Sequence, residues 1–198
     1  MDFEKTVDFK QGQIIGFGGR LNLVPSFLVI DLIRKMRADF GPRVWNFYYN
    51  YVKASAMKHA FTLLESPGVT KWLSENDLTP KQVFSHVVKL IQGYGFGLID
   101  VEKDELPEGY AFVSLENSSI ALAFKEFRGE STKPVCIYVS GFLAGLASAV
   151  YGEEIDCIEE KCLVTGEEKC VFKLFPSSKR FENVFLEESG MTAMSERV

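Results

Sequence analysis

Little in this chain of 198 residues points to nucleic acid. Acidic residues outnumber basic ones, and the net charge of −5 leaves no broad cationic footprint for a phosphate backbone. A nucleotide fingerprint is missing as well. The run Ile14-Ile15-Gly16-Phe17-Gly18-Gly19-Arg20 has the glycines. It lacks the G-x-G-x-x-G spacing and the Gly-Lys-Ser/Thr ending of a phosphate loop, and reads as a glycine-rich turn between short strands. The run from Pro134 to Gly152 has no charged residue. It is at the short limit for a membrane span and is broken by Ser140, Ser148 and two glycines, so a buried core helix is expected. The residues from Met1 to Lys5 lack the basic and apolar regions of a signal peptide, from which a cytoplasmic setting and reduced thiols are expected. Neither an internal repeat nor a low-complexity block appears, and the size fits one domain over 1–176 with a polar tail over 177–198.

Cysteine is scarce and confined to the last third: Cys136, Cys157, Cys162 and Cys170. Three of them join an acid in the pattern Cys136-x22-Glu159-x2-Cys162-x7-Cys170-x-Phe172. Three thiolates and a carboxylate are a donor set for tetrahedral Zn²⁺, and four protein ligands would make the site structural. Four buried free thiols are the competing reading, because cysteine is among the most buried residue types. Ile155–Val164 and Lys169–Phe175 read as two strands around the turn Thr165-Gly166-Glu167-Glu168, a hairpin that brings Cys162 to Cys170. Glu159 and Cys162 are an odd offset apart, so a bulge or an early strand end must separate them if both bind metal.

The other elements follow from pattern and punctuation. Helices are expected over Pro25–Phe40, Arg43–Glu65, a short piece over Val69–Asp77, and from the capping box Thr79-Pro80-Lys81-Gln82 to Gly93. The first half of Arg43–Glu65 is apolar nearly all round, so one side faces a pocket or a second subunit unless the helix is deeply buried. Phe96–Glu102 and Gly109–Asn117 read as strands. Asn117-Ser118-Ser119 caps a short helix ending near Phe127. Pro134–Gly152 reads as a helix whose Gly141-x3-Gly145 spacing lets it approach its neighbours closely. His86 is expected to face inward, either as a satisfied core residue or as the polar tip of a ligand pocket.

Four segments carry a resemblance: Val113-Ser114-Leu115-Glu116-Asn117-Ser118, Lys133-Pro134-Val135-Cys136, Gly141-Phe142-Leu143-Ala144-Gly145, and the Glu159–Phe172 pattern. Together they resemble the 4-vinyl reductase domain family over about 85–175. The resemblance implies an α+β fold of the NO-signalling/Golgi-transport ligand-binding type, an antiparallel sheet backed by helices. It also implies dimerisation through the N-terminal part, here the helical region within 1–80, with 81–176 as the motif region. It implies zinc on Cys136, Glu159, Cys162 and Cys170, with Lys161 and Lys169 partly offsetting the charge and Cys157 outside the ligand set. The family's phenol sensors anchor a hydroxyl with a His and a Trp. His86 falls near the first, while the Trp position is Leu115 here, which implies a more apolar or larger ligand. Phe84, Phe112, Leu115 and Tyr138 are the implied pocket walls beside His86. The expected function is a non-enzymatic sensor of a small hydrophobic or aromatic molecule. The alternatives are a tethering protein of the same fold and a reductase-type enzyme of tetrapyrrole metabolism. Neither a helix-turn-helix nor an ATPase segment follows, so a complete activator is not expected.

Overall fold

The computed structural model describes residues 7–10, 13–16, 19–21 and 24–179. The expected tail, with its turn around Phe181 and Phe185, lies outside the described residues. The N-terminal part is not helical throughout. Strands β1 (Val7–Lys10), β2 (Gln13–Gly16) and β3 (Gly19–Leu21) form a small antiparallel sheet, so the glycine run does sit between short strands. Four helices follow: α1 (Ser26–Phe40), α2 (Val44–Leu64), α3 (Pro67–Glu75) and α4 (Pro80–Ile91). The start of α4 is fixed as its sequence implies. The Thr79 hydroxyl accepts from Gln82 N–H, and Gln82 Oε1 accepts from Thr79 N–H at 2.9 Å.

The main sheet is antiparallel, with strand order β4-β5-β7-β6. It is built from β4 (Leu98–Asp104), β5 (Ala111–Glu116), β6 (Ile155–Lys161) and β7 (Cys170–Pro176). Between β5 and β6 run α5 (Ser119–Arg128), whose N-cap Ser118 hydroxyl accepts from Ala121 N–H, and α6 (Ile137–Tyr151). The α6 helix starts after Cys136 rather than at Pro134 and ends on Gly152, whose left-handed φ of 68° suits glycine. The first strand of the expected hairpin is likewise shorter, since β6 stops at Lys161 and a 3₁₀ turn covers Leu163–Thr165.

Helix α6 is the centre of the molecule, and every residue from Val139 to Ala149 is buried. It lies between the sheet and α2, and α2 is its most extensive neighbour. The glycines make this possible. A Cβ on Gly145 would lie 2.2 Å from the Lys53 carbonyl oxygen, and one on Gly141 would lie 2.9 Å from that of Tyr49. The α2 stripe that is apolar all round divides into three faces. Tyr49, Val52 and Ala56 pack on α6. Trp45 borders a cavity. Phe47 and Tyr51 stay 64% and 62% exposed. Among the described residues no helix is long and apolar enough to cross a membrane.

Candidate metal centre and apolar cavity

The β6–β7 hairpin and the entry to α6 converge on one point. Cys136 occupies the N-cap position of α6, Cys162 follows the end of β6, and Cys170 opens β7. The register shifts between Glu159 and Lys161, so the bulge required by the odd spacing is present. The three sulfurs are 4.0, 3.9 and 3.8 Å apart. A tetrahedron with metal–sulfur bonds near 2.3 Å has edges of about 3.8 Å, so these thiols already stand at ligand spacing. Glu159 completes the cluster, with all four donor atoms within 4.8 Å of one another. Its Oε2 accepts from Cys136 N–H at 2.7 Å, and its Oε1 is buried with no partner. Such an acceptor beside three thiols is what a cation would satisfy.

The electrostatics agree with that donor set. Hydrogen bonds from Cys136 and Cys162 pull the Cys170 thiol down to about 5. Hydrogen bonding to Cys162 and Cys170, together with burial, holds Cys136 well above the usual thiol range. Burial and the neighbouring Cys162 hold the Glu159 carboxyl well above the usual carboxylate range. By itself the cluster sustains about one thiolate, and ionising the rest requires a cation. The lysines expected to offset this charge are engaged elsewhere: Lys161 pairs with Glu167 at 3.5 Å and Lys169 with Glu102. The positive end of α6, at Cys136, is the nearer source of compensation. Cys157 is buried apart from the cluster, and its thiol donates to the Ile158 carbonyl.

Beside the cluster lies a cavity of about 350 Å³. Val29, Ile30 and Ile33 of α1, Trp45 and Tyr49 of α2, Ile120 and Phe124 of α5, Ile137 and Tyr138 of α6, and Cys157 and Ile158 of β6 form most of its lining. Glu159 and the chain from Ser131 to Val135 close it on the cluster side, and Arg34 and Arg37 come from α1. Its deeper polar atoms are largely engaged. Tyr49 Oη accepts from Cys157 N–H at 2.9 Å and donates to Asp156, whose carboxylate also pairs with Lys53 at 2.9 Å. An apolar chamber of this size, with few polar groups, is the usual form of a small-molecule site.

Of the five residues expected to form a pocket, only Tyr138 lines this cavity. His86 faces outward, which corrects the inward expectation. Helix α4 buries Phe84, Val87 and Val88, and two steps of about 100° beyond Phe84 turn His86 to the solvent side. Its Nδ1 is 2.8 Å from the Gln82 carbonyl, and its ring packs on Trp72 in a shallow groove between α3 and α4. Phe84 is fully buried against Tyr151. Leu115 is fully buried in β5, paired with Cys170, and Phe112 pairs with Lys173 in the same strand couple. A tryptophan at 115 would overfill a packed core instead of narrowing a ligand space. The cavity residues missed in the sequence left one signal, the aromatic stripe Trp45–Tyr49 on the helix with too wide an apolar face.

Residues 115–176 match the family model of the vinyl-4-reductase domain. No curated protein matches the chain. Among solved structures, the phenol-responsive sensory domain of the transcription activator PoxR, with phenol, superposes with a TM-score of 0.74. The identity is 17%, over 93% of this chain and 91% of that one. A vinyl-4-reductase family protein from Methanocaldococcus jannaschii is also 17% identical, over 61% of this chain and 90% of that one, with a TM-score of 0.36. Trafficking protein particle complex subunit 3 from Naegleria fowleri, covalently bound to palmitic acid, is 12% identical over 75% and 90%, with a TM-score of 0.49. The last two superpose too loosely to carry an argument, and the first establishes a shared α+β fold. The chain belongs to the vinyl-4-reductase domain family, with the family's matched segment running from 115 to 176.

Proposed function

We propose that the protein binds a small apolar or aromatic molecule in the cavity between α1, α2, α5, α6 and β6, as the input domain of a sensor. The observation that carries this reading is the cavity itself, about 350 Å³ and walled mainly by aliphatic and aromatic side chains. The likeness in fold to a sensory domain that responds to phenol supports it. Zinc held by Cys136, Glu159, Cys162 and Cys170 would serve as a structural brace. Four protein donors leave no open position for a substrate or for water, so the reading is a binding protein and not an enzyme. Cys136 lies between two lining residues, Val135 and Ile137, and Glu159 is itself a lining residue, so the metal would fix one wall of the chamber. Calorimetric titration with 2-naphthol and with 1-octanol tests the reading. At least one should bind, and Ile33→Trp, which places an indole in the chamber, should abolish the heat. Absence of binding to either alcohol by folded, zinc-loaded protein would refute it.

A second feature favours self-association. Phe27, Leu28, Leu32, Phe47, Tyr51 and Phe127 leave large apolar side chains exposed on α1, α2 and α5. Phe27 and Phe127 meet across α1 and α5 at 5.5 Å, and Phe47 and Tyr51 stack at 6.5 Å. Surface of this kind marks an interface, and we assign it to a homodimer through the N-terminal helices.

A further inference from the structure

The cavity has an asymmetry that a purely apolar ligand does not explain. Along α1 the lining residues Ile30, Ile33, Arg34 and Arg37 follow i, i+3, i+4, i+7 spacing, a single face of the helix. The first two are buried aliphatics, and the last two are guanidinium groups on the same chamber. Lys133, on the chain leading into α6, adds a third cation. A chain with net charge −5 thus places three cations and a single acid, Glu159, among the lining residues of its largest described cavity.

The partners of these groups sharpen the point. Arg34 has only a long contact, 3.7 Å, to Asp31, and that carboxylate is held at 2.6 Å by Arg128. Arg37 makes no ion pair with any described residue, and it is half-buried. Guanidinium forks match planar anions in bidentate fashion, better than they match hydroxyls. The one lining acid does not neutralise them, because Glu159 accepts from Cys136 N–H and belongs to the thiol cluster.

Building on the cavity reading above, we infer that the ligand is an apolar body carrying one anionic head group. The body lies against Ile30, Ile33 and Trp45, and the head is taken by Arg37 with Arg34 and Lys133. An arginine in the last turn of α1 also complements the helix dipole. That role predicts no difference between an acid and an alcohol of the same shape, so it is separable by experiment.

The test is calorimetric titration of zinc-loaded protein with two matched pairs, 2-naphthoate against 2-naphthol and octanoate against 1-octanol. In at least one pair the acid should bind about fivefold to tenfold more tightly than the alcohol, a charge-assisted gain reduced by the partial exposure of the rim. Arg37→Gln should erase that preference while leaving alcohol affinity within about twofold. The pair that shows the preference tells whether the body is aromatic or aliphatic. Equal binding of acid and alcohol, or equal losses for both in Arg37→Gln, would overturn the head-group inference and leave the cavity reading standing. Failure of all four compounds to bind would remove both.

Discussion

Substitution of Gly145 by alanine should loosen the seam on which the whole structure depends. The new methyl would lie 2.2 Å from the Lys53 carbonyl oxygen, 2.8 Å from Ala56 Cβ and 2.8 Å from Met57 N, where ordinary contact begins at 3.4 Å. The nearest neighbour is backbone, so no side chain can swing aside. Helix α2 must retreat by about 1 Å, against a packed core that resists such shifts. Overpacking of this kind costs about 1–3 kcal/mol, and the upper end applies where the clash is with backbone. Alanine in place of a helical glycine returns about 1 kcal/mol. The expected net effect is a loss of about 2 kcal/mol. Urea unfolding should therefore show a lower midpoint at unchanged slope. Gly68→Ala, in the first turn of α3 with nothing within 4 Å of the new methyl, serves as the control and should be neutral or mildly stabilising. Since α2 and α6 also supply Trp45, Tyr49, Ile137 and Tyr138 to the cavity, ligand affinity should fall together with stability. A Gly145→Ala protein as stable as the parent would refute the close-seam argument.

Elemental analysis should find about one zinc per chain, with Cys162→Ala and Cys170→Ala losing both metal and soluble protein, because zinc binding free energy is folding free energy in such sites. Cys157→Ser should retain the metal, and equal loss there would show that the wrong thiol was assigned. Burial depresses the titration of His59, whose ring contacts the Tyr94 hydroxyl. Below the unfolded-state value of about 6.5 the unfolded chain takes up the proton first, so this group lowers stability as pH falls from about 6.5. The stability difference between wild type and His59→Gln should therefore shift in favour of the variant between about pH 7.5 and 5.5, and a pH-independent difference would contradict the assignment. Light scattering should report a dimer, converted toward monomer by Phe47→Glu, and a concentration-independent monomer mass for the wild type would sink that expectation.

Much of the architecture was legible because local chemistry and tertiary packing point the same way. Thr79 with Gln82 fixes the start of α4, Gly152 ends α6, and Gly141 with Gly145 announced a close helix contact. The thiol cluster was legible because four donor residues at fixed spacing have few other uses, and the odd offset of Glu159 from Cys162 demanded the bulge that β6 contains. The cavity was harder to foresee because its walls come from five separate elements. Nothing in the periodicity of α1 says that Arg34 and Arg37 share a chamber with Ile137 and Ile158. His86 was misplaced by a local signal: it stands among apolar residues in sequence, yet it falls off the buried stripe of its helix by a single residue step. Leu115 and Phe112 lie on a strand whose inner face packs solidly, which alternation alone cannot distinguish from a pocket wall.

The central claim is a zinc-braced chamber that holds a small molecule, and native mass spectrometry of the protein purified from its own cells tests it most directly. The account predicts a polypeptide carrying one zinc and one small organic molecule of anionic character. Collisional activation should release the organic molecule before the metal, and Ile33→Trp should keep the zinc while losing the organic molecule. A wild-type polypeptide with neither addition, folded and at native charge states, would contradict it.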